Sequence, residues 1–278
     1  MPKKIHLSIL IILLAISLGC RQSGKSPHQQ VNVQEDPIDF VQIKTDSIFS
    51  SHQIISFLTI SKKALDSLRI EFGYSQTALK PTSLLAKSEN ALAAINGGFF
   101  NMDDGGSVTY FEVNDTVVSR TRNPDLKWAV TDSLMNGAIV LRKNSEITIE
   151  SVHSEQFYET SKQEAAVLVT GPVLLMDSVE MALPDMKFTN NRHPRTCFCI
   201  NKESILLITI DGRNKEAEGM NLFETQQFLQ SIGCVDAINL DGGGSTTMWI
   251  KNKGVVNFPS DQSGERPVAN ILFLKNKQ

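Results

Sequence analysis

The sequence predicts an α+β fold: a mixed, strand-rich single domain with a few packed helices. Period-two apolar alternation recurs along most of the chain, and helical periodicity is confined to two stretches. No βα alternation appears that would signal a doubly wound or barrel architecture. With 278 residues, 41% hydrophobic and 21% charged, the chain carries enough apolar content for one sizeable core.

The first twenty residues stand apart from that fold. Lys3 and Lys4 precede an apolar run from Ile5 to Leu18, which ends at Gly19-Cys20. A basic start, a short apolar middle and a small residue at the end describe a secretory signal, and the run is too short to span a bilayer comfortably. Cys20 directly after Gly19 resembles a bacterial lipobox, so residues 1–20 read as a lipoprotein signal with Cys20 lipidated. Residues 21–36, RQSGKSPHQQVNVQED, hold only two valines and read as a disordered tether. The folded domain is expected over 37–278, in the bacterial cell envelope, reaching the membrane through the lipid anchor alone.

Within the domain, strands are expected at Ile54–Ile60, Leu68–Tyr74, Ala91–Ile95, Val108–Val113, Gly137–Lys143 and Val173–Asp177. Further strands are expected at Thr196–Asn201, Ile205–Ile210, Val235–Leu240, Thr246–Ile250 and Val268–Leu274. Pro81–Glu89 is a candidate helix. Leu222–Ile232 is a stronger one, with Asn221 as N-cap, Glu224 three residues on, apolar Leu222, Phe228, Leu229 and Ile232, and Gly233 as the stop.

Composition narrows the partners. A formal charge of -3 without a dense basic run argues against nucleic acid. Beyond Cys20 three cysteines remain, an odd number, so no complete disulfide framework is expected. Cys197 and Cys199 would share one strand face and read as buried small hydrophobes rather than a metal or redox site. His52, His153 and His193 have no zinc-ligand spacing, and no Gly-x-Ser-x-Gly elbow is present. No cofactor is required, although calcium held by Asp and backbone carbonyls stays open.

The chemistry gathers where strands end. "AINGGFF" at Ala94–Phe100 and "AINLDGGGSTTMW" at Ala237–Trp249 each run an apolar strand into a polar residue and then into glycines. Such glycines let backbone approach a ligand closely, and their N–H groups could form an anion-binding nest. Ser245, Thr246 and Thr247 add hydroxyls suited to sugar or phosphate oxygens. "RHPRT" at Arg192–Thr196, "IDGR" at Ile210–Arg213 and "ERPVAN" at Glu265–Asn270 set arginines beside Pro or Gly at other strand edges. Arginine forks suit phosphate oxygens.

These motifs, with "TGPVLL" and the Glu224 helix, stand in the order found in the phosphodiester glycosidase family, which the chain resembles from about Ile54 to Leu274. The resemblance implies an α+β fold with a polar surface cavity. It also implies a site drawn from Asn96, Gly97, Gly98, Arg195, Asp211, Gly212, Arg213, Glu224, Asp241, Gly242, Gly243, Ser245 and Thr246. Arg266, just before the last strand, is a further substrate-binding candidate.

A sugar-1-phosphodiester has a leaving group already stable as an anion, so arginines can do much of the work of a general acid. A carboxylate is still needed at the anomeric carbon. Asp241 is the first candidate, followed by Asp211 and Glu224. Arg195 and Arg213 would hold phosphate, and Asn96 and Ser245 would orient sugar hydroxyls. Two other readings stand beside this one: a non-catalytic glycan- or phosphoglycan-binding lipoprotein, and a phosphodiesterase cutting P–O. The anchoring expectation has its own test. Cys20→Ser should move the protein from the membrane fraction to the soluble fraction, and unchanged fractionation would refute lipidation at Cys20.

Overall fold

The computed structural model describes residues 38–277. The predicted signal, Cys20 and the tether lie outside them. In chain order the strands are β1 Ile38–Thr45, β2 Gln53–Ser61, β3 Leu68–Tyr74, β4 Ala93–Asn96, β5 Phe111–Val113, β6 Thr116–Ser119, β7 Gly137–Arg142, β8 Ile147–Ser151 and β9 Glu164–Thr170. They continue with β10 Val173–Met176, β11 Val179–Glu180, β12 Arg195–Ile200, β13 Ser204–Ile210, β14 Asp236–Asn239, β15 Met248–Ile250, β16 Gly254–Val255 and β17 Asn270–Asn276. The α-helices are α1 Thr82–Ser88, α2 Glu155–Ser161, α3 Lys187–Asn190 and α4 Leu222–Ser231.

Three antiparallel sheets result. The largest runs β1-β2-β13-β12-β14-β10-β11, the second β16-β15-β4-β17-β3 and the third β6-β5-β9-β7-β8. One apolar core draws on all three, through Leu58, Phe198 and Leu207 from the first, Ile95 and Leu272 from the second, and Phe111, Ile139 and Leu168 from the third. Each fully buried side chain of this size contributes roughly 1.5–3 kcal/mol. Strand alternation then assigns the other face of the large sheet. Phe198 and Ile200 point into the shared core, while Cys197 and Cys199 face a second cluster with Leu222, Phe228 and Leu229 of α4.

Helix α4 forms as its sequence requires. Asn221 accepts from the Glu224 N–H at 2.8 Å, and Glu224 accepts from the Asn221 N–H at 3.1 Å, which closes the predicted capping box. The predicted strands are all present, Leu68–Tyr74 with the predicted bounds and the others with shifted ends. Six strands were not foreseen: β1, β6, β8, β9, β11 and β16. Strand β9 is central in its sheet and buried along most of its length, so it lacks the alternation that marks a half-exposed strand. Helices α2 and α3 are too short for a clear helical period.

The cysteine expectation needs correcting. Cys199 and Cys234 form a disulfide across 35 residues, and Cys197 remains free and buried. The pairing follows from topology, which spacing does not reveal. After α4 the Val235 N–H bonds to the Ile200 carbonyl, bringing Cys234 beside Cys199. Closing a loop of this length should stabilise the fold by about 2–4 kcal/mol. The Cys199→Ala/Cys234→Ala double variant should lose that much in a urea titration. An unchanged midpoint and slope would show that the bond contributes nothing.

Candidate active site

Antiparallel pairing gathers the strand-end motifs at one end of the large sheet. Arg195 opens β12, and Ile210, its register partner, closes β13 just before Asp211. Strand β14 runs antiparallel to β12, so its exit toward Leu240 and Asp241 lies beside Arg195. Strand β4 belongs to the second sheet, yet its Asn96-Gly97-Gly98 turn meets the Asp241 turn directly. The Asp241 N–H donates to the Gly97 carbonyl at 3.0 Å, and Asn96 Nδ2 donates to the Asp241 carbonyl at 2.6 Å.

Asp241 lines a chamber of about 400 Å³ together with Arg266 and the aromatic side chains of Phe99, Phe100, Trp128 and Phe188. Burial pushes its pKa up to about 6, opposed by Ser245, Arg266, the Gly242 N–H and Arg213. The Ser245 hydroxyl acts from nearby without a hydrogen bond of good geometry. A larger hollow of about 550 Å³, lined by Arg69, Glu71 and Arg142 among others, contains none of the predicted site residues.

The glycines serve packing more than ligand binding. The expected anion nest is already occupied by the protein, because the N–H groups of Gly242, Gly243, Ser245 and Thr246 are bonded to Asp241 Oδ1 and the carbonyls of Pro194, Gly242 and Gly243. Gly97 and Gly98 likewise donate to the carbonyl and side chain of Asn270. What the missing side chains admit is neighbouring groups. A Cβ on Gly243 would lie 3.0 Å from the Arg213 guanidinium, and one on Gly242 would lie 2.7 Å from the Pro194 carbonyl. Gly244 makes room for the Asp261–Arg266 ion pair, and Gly212 for Pro194 and Glu218.

Several expected roles change once the partners are identified. Asn96 is fully buried, and its Oδ1 accepts from the Thr196 hydroxyl at 2.7 Å and the Thr247 N–H at 3.1 Å. It braces the two turns and has no face left for a sugar. Arg195 is also fully buried, donating to the carbonyls of Met220, Phe188 and Asn191 beneath the Phe188 ring. It is a charge held behind the site, not a fork lining the chamber. Glu224 is committed to the capping box and to Arg192, which takes both of its oxygens.

Asp211 is almost fully buried, and burial raises its pKa to about 6 against the pull of Asn257, the Phe258 N–H and Lys44. Its carboxylate accepts from Asn257 Nδ2 at 2.9 Å and from the Phe258 N–H at 3.1 Å. Asn257 in turn holds the Thr246 carbonyl and the Met248 N–H. Asp211 therefore fixes the strand leaving the glycine turn. The hydroxyls of Ser245 and Thr246 are buried and make no hydrogen bond among the described residues.

Arg213 remains available. It adopts a left-handed backbone at φ 62°, is exposed, and forms no ion pair among the described residues. Its Nη2 lies 3.2 Å from His193 Nδ1, and burial together with Arg195 and Arg213 pushes the His193 pKa down to about 4. His193 is thus neutral at pH 7. Asn257, Asn270, His193 and Trp128 were not singled out as site residues from sequence. Asn270 closes the ERPVAN motif, whereas Asn257 and Trp128 lie in loops without a periodic signal. Among the described residues, no three His, Cys, Asp or Glu side chains converge as a metal-ligand group.

Comparison with known proteins places this arrangement. Human N-acetylglucosamine-1-phosphodiester alpha-N-acetylglucosaminidase is 28% identical over 192 residues, covering 63% of this chain and 35% of the human protein. The chain therefore spans about a third of the length of that relative. The SPbeta prophage-derived protein YomE of Bacillus subtilis is 32% identical over 86 residues, covering 31% of this chain and 13% of YomE. The catalytic domain of the zebrafish N-acetylglucosamine-1-phosphodiester alpha-N-acetylglucosaminidase superposes with a TM-score of 0.68 at 18% identity, covering 88% of this chain and 85% of that one. A Synechocystis protein superposes with a TM-score of 0.65 at 15% identity, covering 87% and 62%. The sequence profile of the phosphodiester glycosidase family matches residues 89–275, the span that carries every strand-end motif described above, and the chain belongs to that family.

Proposed function

We propose that this protein hydrolyses a sugar-1-phosphodiester between the anomeric carbon and its oxygen, releasing free sugar and a phosphomonoester. The observation that carries the reading is Asp241 in the chamber wall, with Arg213, which forms no ion pair among the described residues, against the nearby Gly243. A carboxylate at that position suits an oxocarbenium-like carbon centre, and the guanidinium suits a phosphate that departs carrying charge. Arg195 adds positive potential from behind and holds the loops around the Asp241 turn. The family and the relatives' names support this substrate class. Envelope localisation and anchoring through Cys20 belong to the same proposal and rest on the sequence of residues 1–36.

Asp241 acts as the ionised form, so kcat/KM should fall about tenfold per pH unit below pH 6. Asp241→Asn should lower kcat by roughly 10²-fold or more, and Arg213→Ala by a similar factor. Stability should move the other way. The raised pKa of Asp241 means that ionising it costs the native state free energy as pH rises from about 4 through 6. Asp241→Asn should therefore melt higher than the parent at pH 8 and equally at pH 4, and a lower melting point at pH 8 would contradict the burial argument. Hydrolysis in ¹⁸O-labelled water should place the label on the sugar C1 hydroxyl. Label in the phosphate would establish P–O cleavage instead, and no turnover with retained binding would establish a glycan-binding role.

A further inference from the structure

Trp128 occupies a place that ordinary turn chemistry would give to another residue. The Ala129 N–H bonds to the Leu126 carbonyl at 3.2 Å, closing a four-residue turn with Trp128 third and at φ 68°. That left-handed position normally takes Gly or Asn, and a bulky side chain there is strained. Three contacts hold it in place. The indole Nε1 donates to Asp103 Oδ2 at 2.9 Å, Lys127 Nζ reaches the same oxygen at 2.6 Å, and Arg122 Nε donates to the Lys127 carbonyl at 2.7 Å. Asp103 lies five residues beyond Gly98, on the segment that leaves the first glycine turn.

Nor does core packing explain the residue. Trp128 is absent from the apolar clusters of the described residues, and its side chain lines the chamber that Asp241 also lines. Strain kept at a cavity wall by a dedicated tether marks a positioned group. The Lys127 ammonium lies over one face of the indole, 5.0 Å from the ring centroid, and the opposite apolar face matches the C–H face of a pyranose ring. Arg213 lies at Gly243, outside the chamber lining, so the phosphate end of a substrate is directed there and the sugar ring toward the chamber.

We propose that Trp128 is the sugar-stacking platform of this site and that Asp103 positions it, an inference that rests on the proposed glycosidase reading. The test uses the full chain and the variants Trp128→Ala, Trp128→Phe and Asp103→Ala, each checked for folding by circular dichroism. Trp128→Ala should raise KM for a sugar-1-phosphodiester by about tenfold with little change in kcat. Trp128→Phe should recover most of that loss, and Asp103→Ala should fall between. Calorimetric titration with N-acetylglucosamine 1-phosphate should show the same order of affinity. Binding that depends on Trp128 without turnover by the parent protein would sink the glycosidase reading and leave the platform standing. A folded Trp128→Ala variant with parental KM and affinity would overturn the platform even if hydrolysis were confirmed, as would failure of the parent to bind the sugar phosphate.

Discussion

One buried amide governs how this site is assembled. The Asn96 side chain donates to the Asp241 carbonyl and accepts from Thr196 and Thr247, so a single residue of the second sheet fixes β12 of the first and both ends of the glycine turn that carries the chain from β14 into β15. The Gly97 carbonyl adds a fourth link through the Asp241 N–H. Any of these partners left alone would be a buried polar group without a bond, which typically costs about 1–3 kcal/mol. The two sheets are thereby held in one register at the point where Asp241 enters the chamber.

The electrostatics follow from that placement. Asp241 and Asp211 both have pKa values raised by burial to about 6, yet they differ in what surrounds them. Asp211 spends its oxygens on Asn257 and Phe258, whereas Asp241 faces a cavity. The arginines divide in the same way. Arg192 and Arg266 are matched to carboxylates and Arg195 to backbone carbonyls, while Arg213 is left open beside Gly243. Similar residue types at similar strand ends therefore do different work, and only their partners distinguish them.

This division explains what could and could not be read in the sequence. The fold class was legible because short apolar runs, some of them alternating as in β3, recur between turn residues, and α4 carries a complete capping box. The location of the site was legible because Gly, Asp, Asn and Arg punctuate neighbouring strand ends. The roles were not. Whether Asn96 or Arg195 faces a ligand depends on side-chain contacts made across long stretches of chain, such as Thr196 to Asn96, and local pattern holds no trace of them. Cys199 and Cys234 were hidden for the same reason, since α4 intervenes between them. Trp128 sits in a loop marked by a positive φ, a property of the backbone, and by side-chain tethers to distant residues.

The seam between the two sheets also shapes how such a chain can diverge. Gly97 and Asp241 are neighbours in space, but the third sheet and helices α2 to α4 lie between them in the chain. Nothing at the seam measures the length of that intervening stretch; it requires only that β14 return beside β12 with its end against β4. Insertions and deletions in the loops of that stretch, away from Thr196 and β12, leave the brace untouched, while a single added methyl at Gly97 would strike Asn270. Evolutionary tolerance is thus distributed very unevenly: wide over long spans, and almost nil at a handful of small residues.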